Sequence, residues 1–200
     1  MKIIVPYKKK GGKSRLSPLL SLSEREELAE YMLEDVVATL SKAGLEDVYI
    51  VSDEGLNAVL NKIISNSTDP MLIIMPDLPL ISIENVLDVT SSNEDVVISP
   101  GRGGGTNILF LRDPSTFRVD YHGASFLNHL QIAKDMGLLT RVYESFYASC
   151  DIDEVDDLAE LIIHGRGKSS QYLNSIGISL QITSGRVHVK REGSKDLIRP

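Results

Sequence analysis

The fold is decided by residues 71–80, "MLIIMPDLPL", in which five apolar residues lead into a loop that contains two prolines. A short run with an apolar side chain at every position is typical of a strand buried on both faces. Neighbouring segments complete the pattern, because 48–53 is predicted as a strand and 54–66 and 82–92 as helices. Strands and helices therefore alternate, which predicts an α/β fold with a mainly parallel, Rossmann-like sheet covered by helices on both faces.

The same pattern extends toward both ends of the chain. Residues 2–5 form a short apolar run, and 21–44 has apolar residues at every fourth position, as a helix does. In that helix Ser23 and Glu26 fit a capping box and Gly44 fits the stop. Further along we expect strands at 95–100 and 107–111, a helix at 124–138, a β-rich run at 139–149 and a helix through Leu158 and Leu161.

The end of the chain has a different pattern, with polar and apolar residues alternating over 177–192 around a turn at 184–185. Such alternation predicts the two strands of a peripheral β-hairpin. The apolar positions that would face each other are Ile178, Leu180, Ile182, Val187 and Val189. We therefore predict a main domain at 1–177 and a hairpin with its tail at 178–200, which belongs to the same domain or forms the contact of a homodimer.

Composition and charge limit the classes of function. The chain has 200 residues, 42% of them hydrophobic and 24% charged, as in folded globular proteins. The net charge of −7 argues against general nucleic-acid binding, which needs a basic face. Because no run reaches the ~18 apolar residues of a membrane span and Cys150 is the single cysteine, we expect a cytoplasmic protein without membrane contact or an internal disulfide.

A basic loop with two glycines follows the first apolar run. It has five cations within eight residues, so it could bind an anion such as a phosphate group. Tyr7 stands where a P-loop needs its first glycine, which argues against that motif. Ligands of α/β sheets gather at the carboxyl ends of strands, so an anion site is at least as well supported as a solvated basic loop. The loop residues are Lys8, Lys9, Lys10, Gly11, Gly12, Lys13 and Arg15.

Three carboxylates could hold a divalent cation. Asp77 comes just after the apolar strand, in a loop stiffened by prolines. Asp151 and Asp153 are two residues apart and would point to one face of an extended segment. Structural alternatives are a turn or cap for Asp77 and a helix N-cap for Asp153.

Residues 99–111, "SPGRGGGTNILFL", place three consecutive glycines before a predicted strand. Glycine lets backbone N–H groups approach a ligand closely, and Thr106 adds a hydroxyl group. Gly123 and Ser125 lie at a predicted helix start, where free N–H groups favour an anion, and His122 could donate to a phosphate. A glycine-rich turn and a serine N-cap are the structural alternatives.

Five segments, taken in order, resemble the 2-phospho-L-lactate guanylyltransferase family of coenzyme F-420 biosynthesis: "KGGKSRLSP", "PDLP", "RGGGTN", "YHGASFLNHLQIAKDMGL" and "DIDEVDDLAELIIHGRG". The resemblance covers about residues 1–177. It implies a nucleotidyltransferase domain of the nucleotide-diphospho-sugar transferase type, related to the molybdenum-cofactor guanylyltransferases. It also implies a Mg²⁺-dependent reaction in which GTP and 2-phospho-L-lactate give lactyl-2-diphospho-5'-guanosine and pyrophosphate. Some relatives use phosphoenolpyruvate or 3-phosphoglycerate instead.

The resemblance also implies roles for individual residues. Lys13 and Arg15, helped by Lys8 and Gly12, would bind the triphosphate of GTP and, with Asp77, act in catalysis. Mg²⁺ would be held by Asp77 with Asp153, or with Asp151. The phosphorylated acid would be bound by Gly105, Thr106, Asn107, His122, Gly123 and Ser125. The chain departs from the family where His122 replaces a frequent glycine and where Glu154-Val155 replaces Thr-Pro.

The chemistry of this reaction suits the residue types. A phosphate ester has a second pKa near about 6, so it is largely dianionic at neutral pH and can attack the α-phosphorus without a dedicated base. The site must then position the reactants and neutralise the leaving pyrophosphate, which Lys, Arg and Mg²⁺ can do. Alternatives are another nucleotidyltransferase, a glycosyltransferase with a metal at Asp151-x-Asp153, and a nucleotide-binding regulator without turnover.

Overall fold

The computed structural model describes residues 1–8, 10–52 and 55–192. The elements in chain order are β1 (Lys2–Tyr7), α1 (Leu22–Lys42), β2 (Val48–Ser52), α2 (Leu56–Ile64), β3 (Met71–Ile74), α3 (Ile83–Thr90), β4 (Val96–Pro100), β5 (Thr106–Leu111), α4 (Ser125–Asp135), β6 (Thr140–Val142), α5 (Phe146–Ser149), α6 (Asp157–His164), α7 (Lys168–Ser175), β7 (Ile178–Thr183) and β8 (Arg186–Arg191). Short 3₁₀ turns occur at Ser14–Leu16 and Pro114–Thr116.

The central sheet has six strands in the order β2-β1-β3-β5-β4-β6. The pairs β1–β2, β1–β3 and β4–β6 are parallel, whereas β5 is antiparallel to both β3 and β4. The predicted, mainly parallel α/β sheet is therefore confirmed. β5 is the exception because it returns from β4 through the short glycine loop 101–105, and a connection of that length joins only antiparallel neighbours.

Helices cover both faces of the sheet, as the apolar strands predict. Val5 of β1 packs with Val36 of α1 on one face, in a cluster that also includes residues of α3. Ile4 packs with Leu60 of α2 on the other face, in a cluster that extends to α4. Neighbouring residues of β1 thus contribute to opposite faces, as the period of two in a strand requires. A third apolar cluster joins Leu16 to α1, α6, α7 and the start of β7.

The beginning of α1 differs from the prediction. Its N-cap is Ser21, which forms the capping box with Glu24, two residues before the predicted pair. Both pairs have the same spacing, but the burial of Leu20 in the third cluster brings the chain into the helix earlier. Glu26 instead accepts a hydrogen bond of 3.0 Å from the backbone N–H of Gly11. The predicted end at Gly44 is confirmed, since this residue has a φ of +79°.

The predicted β-rich run at 139–149 is only partly a strand. β6 ends at Val142, and Phe146–Ser149 is one helical turn. The side-chain amide of Asn85 donates to Tyr143 Oη at 2.9 Å and to Ser145 Oγ at 3.1 Å. These hydrogen bonds tie the chain to α3 just after β6 and turn it away from the sheet.

The C-terminal hairpin is confirmed in its predicted register. Leu180 pairs with Val189 and Ile182 with Val187, and both turn residues have positive φ, as tight hairpin turns require. Ile178 is buried in the third cluster, whereas the outer end of the hairpin is exposed, with Ile182 75% accessible. Over the described ranges the helices all lack the length and apolar character needed to cross a membrane. The division of the chain at 177/178 stays a prediction.

Candidate active site

Two neighbouring cavities lie beside the sheet, the first at the carboxyl ends of β1 and β3 and the second next to the glycine loop that follows β4. The first has a volume of about 240 Å³ and is lined by the basic loop, including Lys8, Gly12 and Lys13, together with Asp77. The second has a volume of about 290 Å³ and is lined by Arg15, Arg102, Gly103, Asp151, Asp153, Glu154 and Asp157. Asp153 lines both. The loop positions agree with the rule that ligands of α/β sheets bind outside the strand ends.

Lys13 is the central cation of the site. Its ammonium nitrogen lies 2.5 Å from Asp77 Oδ2 and 2.5 Å from Asp153 Oδ1. Burial disfavours the charge, but the two carboxylates outweigh that effect and raise the pKa of Lys13 above its ordinary value. Its backbone has a φ of +54°, a left-handed conformation that is uncommon for a residue with a side chain and is often retained at functional sites. The basic loop is therefore bent sharply at the residue that contacts both acids.

Asp77 has one carboxylate oxygen without a hydrogen-bond partner. Oδ2 accepts from Lys13, whereas Oδ1 is buried and unpartnered among the described residues. A buried carboxylate oxygen that lacks a partner is costly, so a bound water molecule or cation would be favourable there. The backbone is fixed as well, because the Asp77 carbonyl accepts a 3.0 Å hydrogen bond from the N–H of Ile152. This hydrogen bond places the loop after β3 beside the segment that carries Asp151 and Asp153.

Asp151 and Asp153 reach different partners. Asp151 Oδ1 accepts from the Asn107 amide at 3.3 Å, whereas Asp153 Oδ1 faces Lys13. Burial, and then the nearby charge of Asp77, raises the pKa of Asp151 above its ordinary value. The two residues lie in a segment that belongs to neither a helix nor a strand.

The predicted alternative role of Asp153 as a helix N-cap is wrong. The N-cap of α6 is Asp156, three residues later. The N–H groups of Asp153 and Glu154 instead donate to the side chain of Asp157, which holds this segment against the first turn of α6.

The remaining residues of the basic loop are more exposed. The Arg15 guanidinium is 3.9 Å from Asp153 Oδ2 and from Glu154 Oε1, and 68% of its side chain is accessible. The Gly12 carbonyl accepts a 3.1 Å hydrogen bond from Arg25 of α1. Lys9 lies outside the described residues. Lys8 and Lys13 thus line the first cavity and Arg15 lines the second, so cations border both.

The glycine loop makes a close backbone approach, but at an unexpected glycine. A Cβ atom on Gly101 would lie 2.5 Å from Asn107 Oδ1, whereas Gly103 and Gly105 face open space. Asn107 is buried and donates to the carbonyl of Ala148 at 3.0 Å. Gly104 has a φ of +81°, which glycine adopts without strain. Gly101 therefore makes room for Asn107, and the N–H of Gly104 returns to the Gly101 carbonyl at 3.1 Å within the same turn.

Thr106 and Ser125 are buried and bound to each other. The N–H of Thr106 donates to Ser125 Oγ at 2.9 Å, and Thr106 Oγ1 lies 2.9 Å from His129 Nδ1. Burial lowers the pKa of His129 to about 4, so the ring is neutral. Its Nε2 accepts from the N–H of Asp120 at 3.0 Å, which places the ring proton on Nδ1, where it is donated to Thr106. Sequence reasoning gave His129 no part in this network.

His122 lies beside α2, and neither His122 nor Gly123 lines either cavity. The His122 side chain is 85% accessible, with Nδ1 2.8 Å from Asp120 Oδ1 and 2.9 Å from the Asn57 amide. Gly123 precedes α4, whose N-cap is Ala124, so the predicted alternative of Ser125 as N-cap is wrong. The hydroxyl of Ser125 is instead used by Thr106.

Two charged residues of the second cavity were not singled out in the sequence. Arg102 Nη2 is 2.5 Å from Asp157 Oδ1 and donates to the backbone carbonyl of Asp151 at 3.2 Å. Both residues occur inside the quoted segments, but a contact across 55 positions leaves no local pattern that could have revealed it.

Comparisons with known proteins show what the chain is similar to. Residues 1–192 match the family model described as "Guanylyl transferase CofC like". A protein of Methanosarcina mazei named 2-phospho-L-lactate guanylyltransferase is 46% identical over 204 residues, covering 94% of this chain and 98% of its own. A protein of Methanocella arvoryzae with the same name is 46% identical, with 97% and 94% covered.

The fold agrees with a solved structure, a putative nucleotide-diphospho-sugar transferase from Desulfovibrio desulfuricans. The TM-score is 0.64 at 15% identity, with 88% of this chain and 95% of that chain covered. Similarity at this identity shows the fold alone, and the expected transferase-type architecture is confirmed. From the family match and the full-length relatives together, the chain belongs to the CofC-like guanylyl transferase family.

Proposed function

We propose that this chain joins GTP to 2-phospho-L-lactate, forming lactyl-2-diphospho-5'-guanosine and releasing pyrophosphate, as a step of coenzyme F-420 biosynthesis. The single observation that carries the proposal is the cluster of Lys13, Asp77 and Asp153 in the cleft at the strand ends. It occurs in a chain that is 46% identical to a protein named for this activity. A cytoplasmic setting is part of the proposal.

In this reaction a phosphate oxygen of the acid attacks the α-phosphorus of GTP, and the bond from that phosphorus to the bridging oxygen of the β-phosphate breaks. The attacking phosphate is already largely dianionic, so it needs no proton acceptor. What the chain must supply is alignment of the two anions and positive charge near the leaving pyrophosphate. Lys13, which lines the first cavity with Lys8 and Gly12, and Arg15, which lines the neighbouring second cavity, would supply that charge.

Asp77 with Asp153, or with Asp151, would hold Mg²⁺. Carboxylate oxygens are the ligands that this hard cation prefers, and the buried, unpartnered Oδ1 of Asp77 fits a bound cation. In the described ranges, no group of three or more His, Cys, Asp or Glu side chains is arranged to hold a metal alone. In nucleotide sites Mg²⁺ is typically bound by one or two carboxylates together with substrate phosphates, whose negative charge it neutralises.

Lys13 has a different partner in each state of the proposed site. In the structure its ammonium group balances the charges of Asp77 and Asp153 at 2.5 Å. We propose that it leaves these carboxylates for the phosphate oxygens of GTP when the nucleotide binds together with Mg²⁺. Such an exchange keeps every buried charge paired before and after binding, which buried charges require.

The second cavity would receive the phosphorylated acid. Arg15 and Arg102 line it next to Asp153, and the backbone of the glycine loop borders it at Gly103. Guanidinium groups and exposed backbone N–H groups both suit a phosphate or carboxylate. The resemblance assigns the acid to Gly105, Thr106, Asn107, His122, Gly123 and Ser125, and that assignment stays a prediction, because none of these six residues lines the second cavity. The hydrogen bond between Thr106 and Ser125 supports a role in holding the shape of the glycine loop.

A homodimer is also proposed, through the outer end of the hairpin. Ile182 is 75% and Val187 43% accessible, and these residues pair across the two strands. Light scattering at micromolar concentration tests this, because a monomeric mass would contradict it. Glutamate at either position should then convert a dimer into monomers.

The deciding experiment measures pyrophosphate release from the purified protein with Mg²⁺ and GTP. The acids compared are 2-phospho-L-lactate, phosphoenolpyruvate and 3-phosphoglycerate, with ATP and CTP as nucleotide controls. We expect release that needs GTP and is fastest with 2-phospho-L-lactate. Asp77→Asn and Asp153→Asn should each abolish it, because an amide is a much weaker ligand for Mg²⁺ than a carboxylate.

Other outcomes would replace the proposal. Faster release with one of the other acids would change the substrate. Consumption of a nucleotide sugar instead of GTP would indicate a glycosyltransferase, and GTP binding without release of pyrophosphate would indicate a regulator. Full activity in both aspartate variants would remove the metal assignment.

A further inference from the structure

The Asp153 carboxylate is carried by a segment without regular structure. Residues 151–155 lie between α5 and α6 and belong to neither a helix nor a strand. No ladder of hydrogen bonds between strands therefore fixes the position of this carboxylate. Its place beside Lys13 must come from other contacts, of which the 3.0 Å hydrogen bond from the Ile152 N–H to the Asp77 carbonyl is one.

Most of the remaining contacts are made by one buried side chain, that of Asp157. Its Oδ2 accepts from the N–H of Asp153 at 2.8 Å and from the N–H of Glu154 at 2.7 Å. Its Oδ1 pairs with Arg102 at 2.5 Å, and the same Arg102 nitrogen donates to the Asp151 carbonyl. The pair thus binds three backbone groups within four residues, on both sides of Ile152.

The arrangement also connects two loops. Arg102 belongs to the glycine loop that borders the second cavity, and Asp157 is the first residue of α6. The Asp157 side chain is only 12% accessible, so its charge needs the guanidinium group and both N–H groups as partners. Loss of its carboxylate would remove the partner of two backbone N–H groups and allow residues 151–155 to move. The carboxylate of Asp153 would move with them.

We propose that Asp157, paired with Arg102, is a positioning residue that holds the Asp153 carboxylate in place for the divalent cation. This inference rests on the proposed function and deepens it, because it assigns to Asp157 a role in metal affinity without direct contact with the metal. Residues that orient metal ligands typically change metal affinity by about 10- to 100-fold when they are replaced.

The test compares three variants with the wild-type protein. Asp157→Ala removes both sets of contacts. Asp157→Asn keeps a carbonyl oxygen for the two N–H groups but loses the charge that pairs with Arg102. Asp156→Ala is the matched control, because this neighbour is exposed and its side chain makes no capping hydrogen bond. The first measurement is the affinity for Mn²⁺ in the presence of GTP, by electron paramagnetic resonance with a protein-free blank. The second is the Mg²⁺ concentration that gives half-maximal pyrophosphate release.

We expect Asp157→Ala to weaken Mn²⁺ binding and to raise the half-saturating Mg²⁺ concentration by about 10- to 100-fold, with Asp157→Asn between it and the wild type. Transfer should recover to within about threefold of wild type at saturating Mg²⁺, since the ligands themselves are retained. Unchanged metal affinity in both Asp157 variants would overturn the proposal. So would a loss of transfer that excess metal does not restore. Should Asp157→Ala fail to fold, Asp157→Asn decides alone.

The two proposals can fail separately. If the wild-type protein releases no pyrophosphate with any of the acids, the proposed function fails. The Mn²⁺ measurement still reports whether Asp157 affects the cation site. If the wild type is active and the metal dependence of the variants is unchanged, only the role of Asp157 fails.

Discussion

The buried imidazole of His129 should make the protein lose stability in mild acid. In the folded state its ring is completely buried and neutral, with a pKa of about 4 instead of 6.5. Its Nε2 accepts from the Asp120 N–H, and a proton at Nε2 would replace that acceptor with a second donor. Protonation of the folded state is therefore unfavourable, whereas the unfolded chain binds the proton freely.

The sign and size of the effect follow from that difference. The stability contributed by the neutral His129 ring is fully present above pH 6.5 and is lost as the pH falls toward 4. Between these two pH values only the unfolded chain binds the proton. At about 1.36 kcal/mol per pH unit, the whole interval lowers the free energy of unfolding by roughly 3 kcal/mol.

Urea unfolding between pH 7.5 and 4.5 tests this in the wild type and in His129→Asn, which keeps a donor for Thr106 but does not titrate. We expect the wild type to lose roughly 2 to 3 kcal/mol more than the variant over this range. His188→Asn, in the exposed part of β8, is the control and should behave as the wild type. Equal losses in the wild type and in His129→Asn would refute the reasoning.

Three further predictions concern charge and packing. Lys13→Met should reduce pyrophosphate release by at least about 100-fold. It should also tighten Mn²⁺ binding to the nucleotide-free protein about tenfold, because it removes a competing cation 2.5 Å from each carboxylate. Unchanged Mn²⁺ affinity, measured by electron paramagnetic resonance, would contradict this. Gly101→Ala should lower the free energy of unfolding by about 1–3 kcal/mol, because the new methyl group would overlap the side-chain amide of Asn107. Gly103→Ala is the control and should have little effect, because a Cβ atom there meets open space. Arg191→Met should destabilise by about 1 kcal/mol, as measured in urea at pH 7. The hydrogen bond from this guanidinium holds the pKa of Glu24 at about 2, so the stability that the ion pair contributes is present above pH 4.5 and is lost as the pH falls toward 2. Equal destabilisation of Arg191→Met at pH 7 and at pH 2 would argue against a role for this ion pair.

Local patterns were enough to predict most of the elements, α5 and α7 excepted, and the charged residues of the first cavity. The apolar run at 71–74 is a fully buried strand, and Lys13 and Asp77 follow two adjacent strands. Because the ends of parallel neighbours meet at one edge, residues that follow those strands come together irrespective of their separation in sequence. The hairpin was predictable for a similar reason, since its register depends on the turn alone.

Features that depend on distant contacts could not be predicted in the same way. The side chain of Asn107 leaves no room for a Cβ atom at position 101, so this position requires glycine. The sequence does not distinguish Gly101 from the three glycines that follow it. Arg102 and Asp157 are 55 residues apart and acquire their partners only after folding. Thr106 and Ser125 have the residue types of ligand-binding groups, yet their hydroxyl groups are used within the protein. A small polar side chain in the sequence does not reveal whether its partner is a ligand or another residue.

The third apolar cluster has a consequence for how the cleft responds to salt. Leu16, three residues after Lys13, and Ile152, one residue before Asp153, are both fully buried in it. The segment that carries Lys13 and the segment that carries Asp153 are thus both anchored in the third apolar cluster. Its close packing and low compressibility resist deformation. The spacing between the opposite charges is set by that cluster more than by their attraction. High ionic strength should therefore weaken the binding of a polyanionic ligand while leaving the dimensions of the empty cleft unchanged.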